Sequence, residues 1–137
     1  MTPTSCTESK GIMKFQPDKV DVQTITAYGP GWVAVNGEKF TTSMLITSQG
    51  IKQAWTASPF EALSEPDFAP LASLGCEVVL FGSGNRLRFA KTEWLPALIA
   101  RGIGLESMDT AAACRTYNIL AGEGRTVAAV LLLEQPT

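Results

Sequence analysis

Two short apolar runs constrain this chain more than any other feature: Glu77-Val78-Val79-Leu80-Phe81, and Val127 to Leu133 near the C-terminal end. At seven residues, even the longer one falls far short of the ~20 that a membrane-spanning helix needs. The first lacks the alternation of a strand with one wet face, so it reads as a strand covered on both faces. Such strands belong to partly parallel sheets flanked by helices. The sequence between the two runs fits that arrangement. A helix is expected from about Thr92 to Arg101, ended by Gly102, then a short strand at Ile103–Ser107, then a helix capped by Asp109 and running to about Ala121. Strands 77–81 and 103–107 are expected to run parallel through a right-handed crossover, with the last strand at 125–133. Ahead of them, Ser64 caps a short helix over Pro66–Leu74, proline being tolerated in a first turn.

Residues 20–55 have a different texture: short, β-branched and punctuated by glycine. Residues 20–28 alternate with a period near 2 until Gly29-Pro30-Gly31 breaks them. Trp32-Val33-Ala34-Val35 and Lys39-Phe40 then flank Asn36-Gly37, the strongest short hairpin signal. Met44–Thr47 and Gln53–Trp55 read as further strands around a turn at 48–50. The resulting fold class is α/β in three layers: an antiparallel hairpin layer, a central mixed and partly parallel sheet, and helices on the far side. The whole reads as one domain over 19–137, preceded by a polar arm at 1–18.

Composition narrows the chemistry. The 13 acidic and 11 basic side chains give a net charge of −2, which argues against a nucleic-acid groove. Histidine is absent, which removes the commonest general base and every His-containing metal site. Cys6, Cys76 and Cys114 are odd in number and widely spaced, with no CxxC, so neither a structural metal nor a disulfide framework is expected. That pattern suits a reducing compartment, and the N-terminal residues carry no apolar signal core, so the expected location is cytoplasmic. No cofactor is called for.

Two constellations are candidates for binding. The Gly82-Ser83-Gly84 loop sits beyond the carboxyl end of a strand, where ligands of open α/β sheets are held. It lacks the spacing of a phosphate loop, so a plain tight turn is the alternative. Arg86 and Arg88 follow it, either holding an anionic group or pairing with carboxylates such as Glu123 and Glu106. The second constellation is the helix start at Asp109-Thr110, with Arg115 and Asn118 three apart on one helix face. Asp109 serves as N-cap in any case, and Asn118 suits a hydrogen-bonding hub. Parallel strands would bring Asp109 to the same sheet edge as Gly82–Gly84. Cys114 lies beyond the first helical turn among alanines and reads as a packed, inert thiol. Trp32, Trp55 and Trp94 read as core or interface anchors. No nucleophile–base pair is legible, and no catalytic residue is assigned.

The run Asp109-Thr110-Ala111-Ala112-Ala113-Cys114-Arg115-Thr116-Tyr117-Asn118, with Glu123-Gly124-Arg125-Thr126-Val127-Ala128-Ala129 after it, resembles the small-domain family that includes the mitochondrial complex I assembly factor 3. Gly82-Ser83-Gly84 is similar to that family's Gly-Thr-Gly loop with the hydroxyl kept, and Trp32–Gly37 to its Asn-Gly hairpin. The resemblance covers about residues 20–133. It implies a three-layer β+β/α fold with a five-stranded mixed sheet, no established catalytic activity, and a protein partner in respiratory-complex assembly. With no presequence legible, the chain looks like a bacterial relative. Two functional classes follow: a non-catalytic binding or assembly module, or a small-molecule binder or enzyme using the Gly82–Gly84 loop and the Asp109 helix start.

Overall fold

The computed structural model describes residues 22–135; the arm assigned to 1–18, with Cys6, lies outside the described residues. The hairpin layer is β1 (Ile25–Gly29), β2 (Trp32–Val35) and β3 (Glu38–Phe40), all antiparallel. Asn36 and Gly37 join β2 to β3 with φ of 50° and 87°. Both lie in the left-handed region that a two-residue Asn-Gly turn requires. The alternating pattern at 20–28 promised an earlier start to the first strand. Among the described residues, Gln23 is instead held by side-chain hydrogen bonds. The Gln23 amide donates to the carbonyls of Thr47 (2.9 Å) and Ile51 (2.7 Å), and the Tyr117 hydroxyl donates to the Gln23 carbonyl (2.9 Å).

The central sheet holds β4 (Met44–Thr47), β5 (Lys52–Ala54), β6 (Val78–Gly82), β7 (Gly104–Met108) and β8 (Val127–Leu131), in the order β5-β4-β8-β6-β7. β6 is parallel to both neighbours, with Gly82 level with Met108 on β7 and Leu131 on β8. β8 is antiparallel to β4. The sheet is therefore mixed, with the expected parallel pair inside it. β8 is buried at all five positions, and on β6 only Val78 is partly exposed. That burial accounts for the near-absence of polar residues in the two apolar runs.

Helices cover both faces. On one side α1 (Glu65–Phe68), the 3₁₀ turn that follows it and α2 (Pro96–Ala100) pack through Phe68, Leu71 and Leu98 onto Val79, Phe81, Ala128 and Val130. On the other, α3 (Thr110–Gly122) and the hairpin layer enclose Leu80, Val127, Ala129 and Leu131 with Ala113, Tyr117, Val33 and Val35. The longest helix thus shares the hairpin's side, where the sequence placed it with the other helices on the far side. Right-handed crossovers require this. The chain steps from β6 outward to β7, then back across β6 to β8. Reversing the direction of the step while keeping the hand puts the two crossover helices on opposite faces.

Two helices are shorter than expected because of proline. Pro70 lacks the N–H needed to carry α1 onward, and the chain tightens into a 3₁₀ turn at Ala69–Ser73. Pro96 opens α2 as its first residue, so the segment read as one helix from Thr92 divides into a 3₁₀ turn at Thr92–Trp94 and α2. Asp109 caps α3 as expected, its carboxylate accepting from Ala112 N–H at 2.9 Å.

Candidate functional site at the strand-end crevice

The reversal between β6 and β7 creates the kind of crevice in which open α/β sheets hold ligands: the connections leave the carboxyl ends of neighbouring strands toward opposite faces. Gly82–Gly84 and Asp109–Thr110 meet there, as the sequence anticipated. Their polar groups, however, are directed at one another. Ser83 N–H donates to the Met108 carbonyl (2.8 Å), Thr110 N–H to the Gly84 carbonyl (2.9 Å), and Gly84 N–H to the Thr110 hydroxyl (2.9 Å). That hydroxyl donates in turn to the Leu132 carbonyl at 2.8 Å. One threonine thus joins the ends of β6, β7 and β8. The close approach requires Gly82, where a Cβ would stand 3.1 Å from the Cα and hydroxyl oxygen of Thr110.

Ser83 is fully buried. Its hydroxyl faces the carbonyls of Arg86 (2.9 Å) and Met108 (3.1 Å) and accepts from Arg88 N–H (2.8 Å). The Ser83 carbonyl receives Nε and Nη2 of Arg88 at 3.2 and 2.6 Å. Arg88 also ion-pairs with Glu134, lies 3.6 Å from the Glu61 carboxylate, and covers the Phe60 ring at 4.5 Å. Its carboxylate partners are thus Glu134 and Glu61, not the Glu123 and Glu106 read from the sequence. Burial pushes the Glu134 carboxyl up, but the Asn85 N–H and the Arg88 guanidinium outweigh it and hold the group below its usual value.

What remains open beside these groups is a cleft of about 500 Å³ walled by Tyr28–Gly31, Gly84, Asn85, Asp109–Ala111, Leu132 and Leu133. Of the predicted site residues, Gly84, Asp109 and Thr110 line it. Gly82 and Ser83 lie buried beneath. Arg115 stands at its margin, donating to the Tyr28 hydroxyl at 3.1 Å. Asn118, on the same face of α3, holds β1 by both ends of its amide: it accepts from Ile25 N–H (2.9 Å) and donates to the Ile25 carbonyl (2.8 Å). That fits a hub and turns the side chain away from the cleft. Arg86 is exposed outside it. The wall at Gly29-Pro30-Gly31 was legible only as a strand breaker, and Leu132–Leu133 only as strand.

Cys114 is fully buried, and burial pushes its thiol up to about 12. Burial also raises the Cys76 thiol. The two sit in different cores. At pH 8 both stay protonated, so Ellman's reagent is expected to leave them unmodified in the native protein and to titrate them only after unfolding in guanidinium. Prompt release of colour in excess of the Cys6 equivalent would contradict this. Among the described residues, no group of three or more acidic or cysteine side chains is arranged to hold a metal ion, and no helix is long and apolar enough to cross a membrane.

Residues 25–132 match a family described as a protein of unknown function, DUF498/DUF598. The chain belongs to this family. It is 31% identical over 110 residues to the Bos taurus NADH dehydrogenase (ubiquinone) 1 alpha subcomplex assembly factor 3. That match covers 79% of this chain but only 59% of the bovine protein, so the chain spans about six tenths of that relative's length. An uncharacterised Rhodobacter capsulatus protein is 33% identical over 119 residues, covering 85% of this chain and 90% of that one. A crystal structure from Bordetella parapertussis superposes with a TM-score of 0.77 at 37% identity, covering 82% of this chain and 97% of the other. The DUF498/DUF598 fold is thus the α/β arrangement described above, and an assembly-type role is represented within the family.

Proposed function

We propose that this chain is a non-catalytic protein-binding module that acts, in the cytoplasm, in the assembly of a respiratory NADH dehydrogenase. The observation that carries this reading is the closure of the strand-end crevice. The Ser83 amide is taken up by the Met108 carbonyl of β7, the Gly84 amide by the Thr110 hydroxyl and that hydroxyl by the Leu132 carbonyl, and the Asp109 carboxylate occupies the first-turn amide of Ala112. A small anionic ligand would find few donors there and a carboxylate in its way. The cleft that is left, walled by a Gly-Pro-Gly turn and Leu132–Leu133, suits contact with another protein. Similarity to a named assembly factor over 79% of the chain supports the same class of role. Two buried thiols in separate cores are consistent with a reducing compartment.

The test is a deletion of the gene in its native cells, followed by native gel electrophoresis of the solubilised membranes. Loss of assembled NADH dehydrogenase, restored by a plasmid copy, is the expected result. Undiminished assembly in the deletion strain would remove the reading.

A further inference from the structure

The loop leaving the crevice carries the most exposed large apolar side chain of the described residues. Phe89 is 70% exposed and Leu87 49%, while Arg88 between them is turned inward. The backbone follows the same alternation. The Arg86 carbonyl and Arg88 N–H are bound by the Ser83 hydroxyl, and Ala90 N–H donates to the Ser107 hydroxyl at 3.0 Å. Residues 86, 88 and 90 are thus fastened to the body, with Arg88 fixed additionally through the Ser83 carbonyl, Glu134 and the Phe60 ring. Leu87 and Phe89 are held outward on a rigid base. Burial does not explain them, since neither is covered by the fold.

Charge around this ridge points to the chemistry of what covers it. From Gly82 to Thr92 the sequence carries Arg86, Arg88 and Lys91 and no carboxylate, and an exposed Glu93 follows as the first acidic residue after them. Glu61 and Glu134 face Arg88 at the base, and the Arg86 charge also reaches Glu134. Arg86 and Lys91 are exposed at either end of the apolar pair. We propose that residues 86–91 are a docking ridge for a protein partner that presents an apolar groove rimmed by carboxylates. Phe89 is the central anchor, and Arg86 and Lys91 pair with the rim. The inference deepens the protein-binding reading above by naming the surface and the partner's chemistry. A lipid surface fits less well. Two exposed cations attract an anionic bilayer weakly, and a fixed spacing between two side chains counts for a preformed groove but not for a fluid one.

The experiment has two arms. In the deletion strain, plasmid copies carrying Leu87→Ser/Phe89→Ser or Arg86→Glu/Lys91→Glu are expected to fail to restore assembled NADH dehydrogenase. Ile119→Ser, which alters an exposed apolar residue on α3, is expected to restore it. All three proteins should keep wild-type melting temperatures, because the altered side chains are exposed. In the second arm the purified chain is titrated, with NMR detection, against a synthetic amphipathic Leu/Glu helix, its Leu/Lys counterpart, and phosphatidylglycerol vesicles. Binding of the Leu/Glu helix with shifts at 86–91, weakened about tenfold by Phe89→Ser, supports the ridge. Equal binding of the Leu/Lys helix, or binding insensitive to Phe89→Ser, overturns it. Vesicle binding that depends on Phe89, without peptide binding, replaces the protein groove by a membrane. If even the wild-type copy restores nothing, the assembly reading fails and the titration still judges the ridge. If wild type and ridge variants restore assembly equally, the ridge alone falls.

Discussion

Gly84→Ala should destabilise the domain by about 3 kcal/mol, from backbone strain together with loss of a partly buried charge pair. Gly84 has a φ of 108°, outside the range that a residue with a Cβ adopts without strain. The site adds a collision, because a Cβ there would fall inside the van der Waals shells of the Glu134 carboxylate and the Arg88 guanidinium. Neither can swing aside freely. Glu134 accepts from Asn85 N–H at 2.9 Å, and Arg88 is fixed by the Ser83 carbonyl and the Phe60 ring. With an m-value of roughly 1.5 kcal/mol/M, the urea midpoint falls by about 2 M. A midpoint within error of wild type would show that the Gly84 turn is not built as described. The NMR resonances of 86–90 should broaden in the same variant, since the base of that segment is disturbed.

Phe81→Ala should have an effect at least as large, about 3–5 kcal/mol, the range for emptying a buried aromatic site. Phe81 is fully buried and lies against four other rings: Trp55 at 6.2 Å, Phe60 at 6.2 Å, Phe68 at 5.5 Å and Trp94 at 6.5 Å between centroids. Three of these contacts are edge-to-face and one is stacked, geometries that add to simple burial. Removing the shared ring leaves a cavity that two tryptophans border, so the near-UV circular dichroism should change along with the midpoint. Wild-type stability with an unchanged tryptophan spectrum would contradict the packing. Against a total of roughly 5–15 kcal/mol for a domain of this size, the loss is large enough that the variant is best studied at low temperature.

The parts of the fold legible in the sequence are those set by local chemistry. Asn36-Gly37 could only be a tight hairpin turn, and Asp109 at the head of an alanine run could only be a helix cap. Glu77–Phe81 was too apolar for a strand with a wet face. Helix lengths were less legible, because Pro70 and Pro96 act on individual hydrogen bonds and turn expected α-helix into 3₁₀ turns without changing the apolar pattern. The side of the sheet on which α3 packs depends on strand order, and nothing local to 109–121 encodes that β8 returns across β6. At the crevice, the meeting of Gly82–Gly84 with Asp109–Thr110 followed from two parallel strands. That Thr110 would spend its hydroxyl on the Gly84 amide and the Leu132 carbonyl did not, since it requires β8 to be in place. Arg88 shows the same limit. Its principal partner, Glu134, lies 46 residues away, and the nearer reading paired it with other carboxylates.

β8, between β4 and β6 in the sheet, is also the last of the described strands in chain order. Until residues 127–131 leave the ribosome, β4 with β5 and β6 with β7 are two separate ribbons, each with one bare edge where β8 belongs. The nascent chain must therefore carry two open β edges and two half-formed cores until β8 emerges, a state prone to pairing with other chains. Completion is then a single late event. One strand enters, closes the sheet, and brings the Leu132 carbonyl to Thr110, so the crevice is locked in the same step that makes the domain stable. Held outside a stalled ribosome by an added flexible linker, residues 1–126 should be cut readily by proteases and residues 1–137 should resist them.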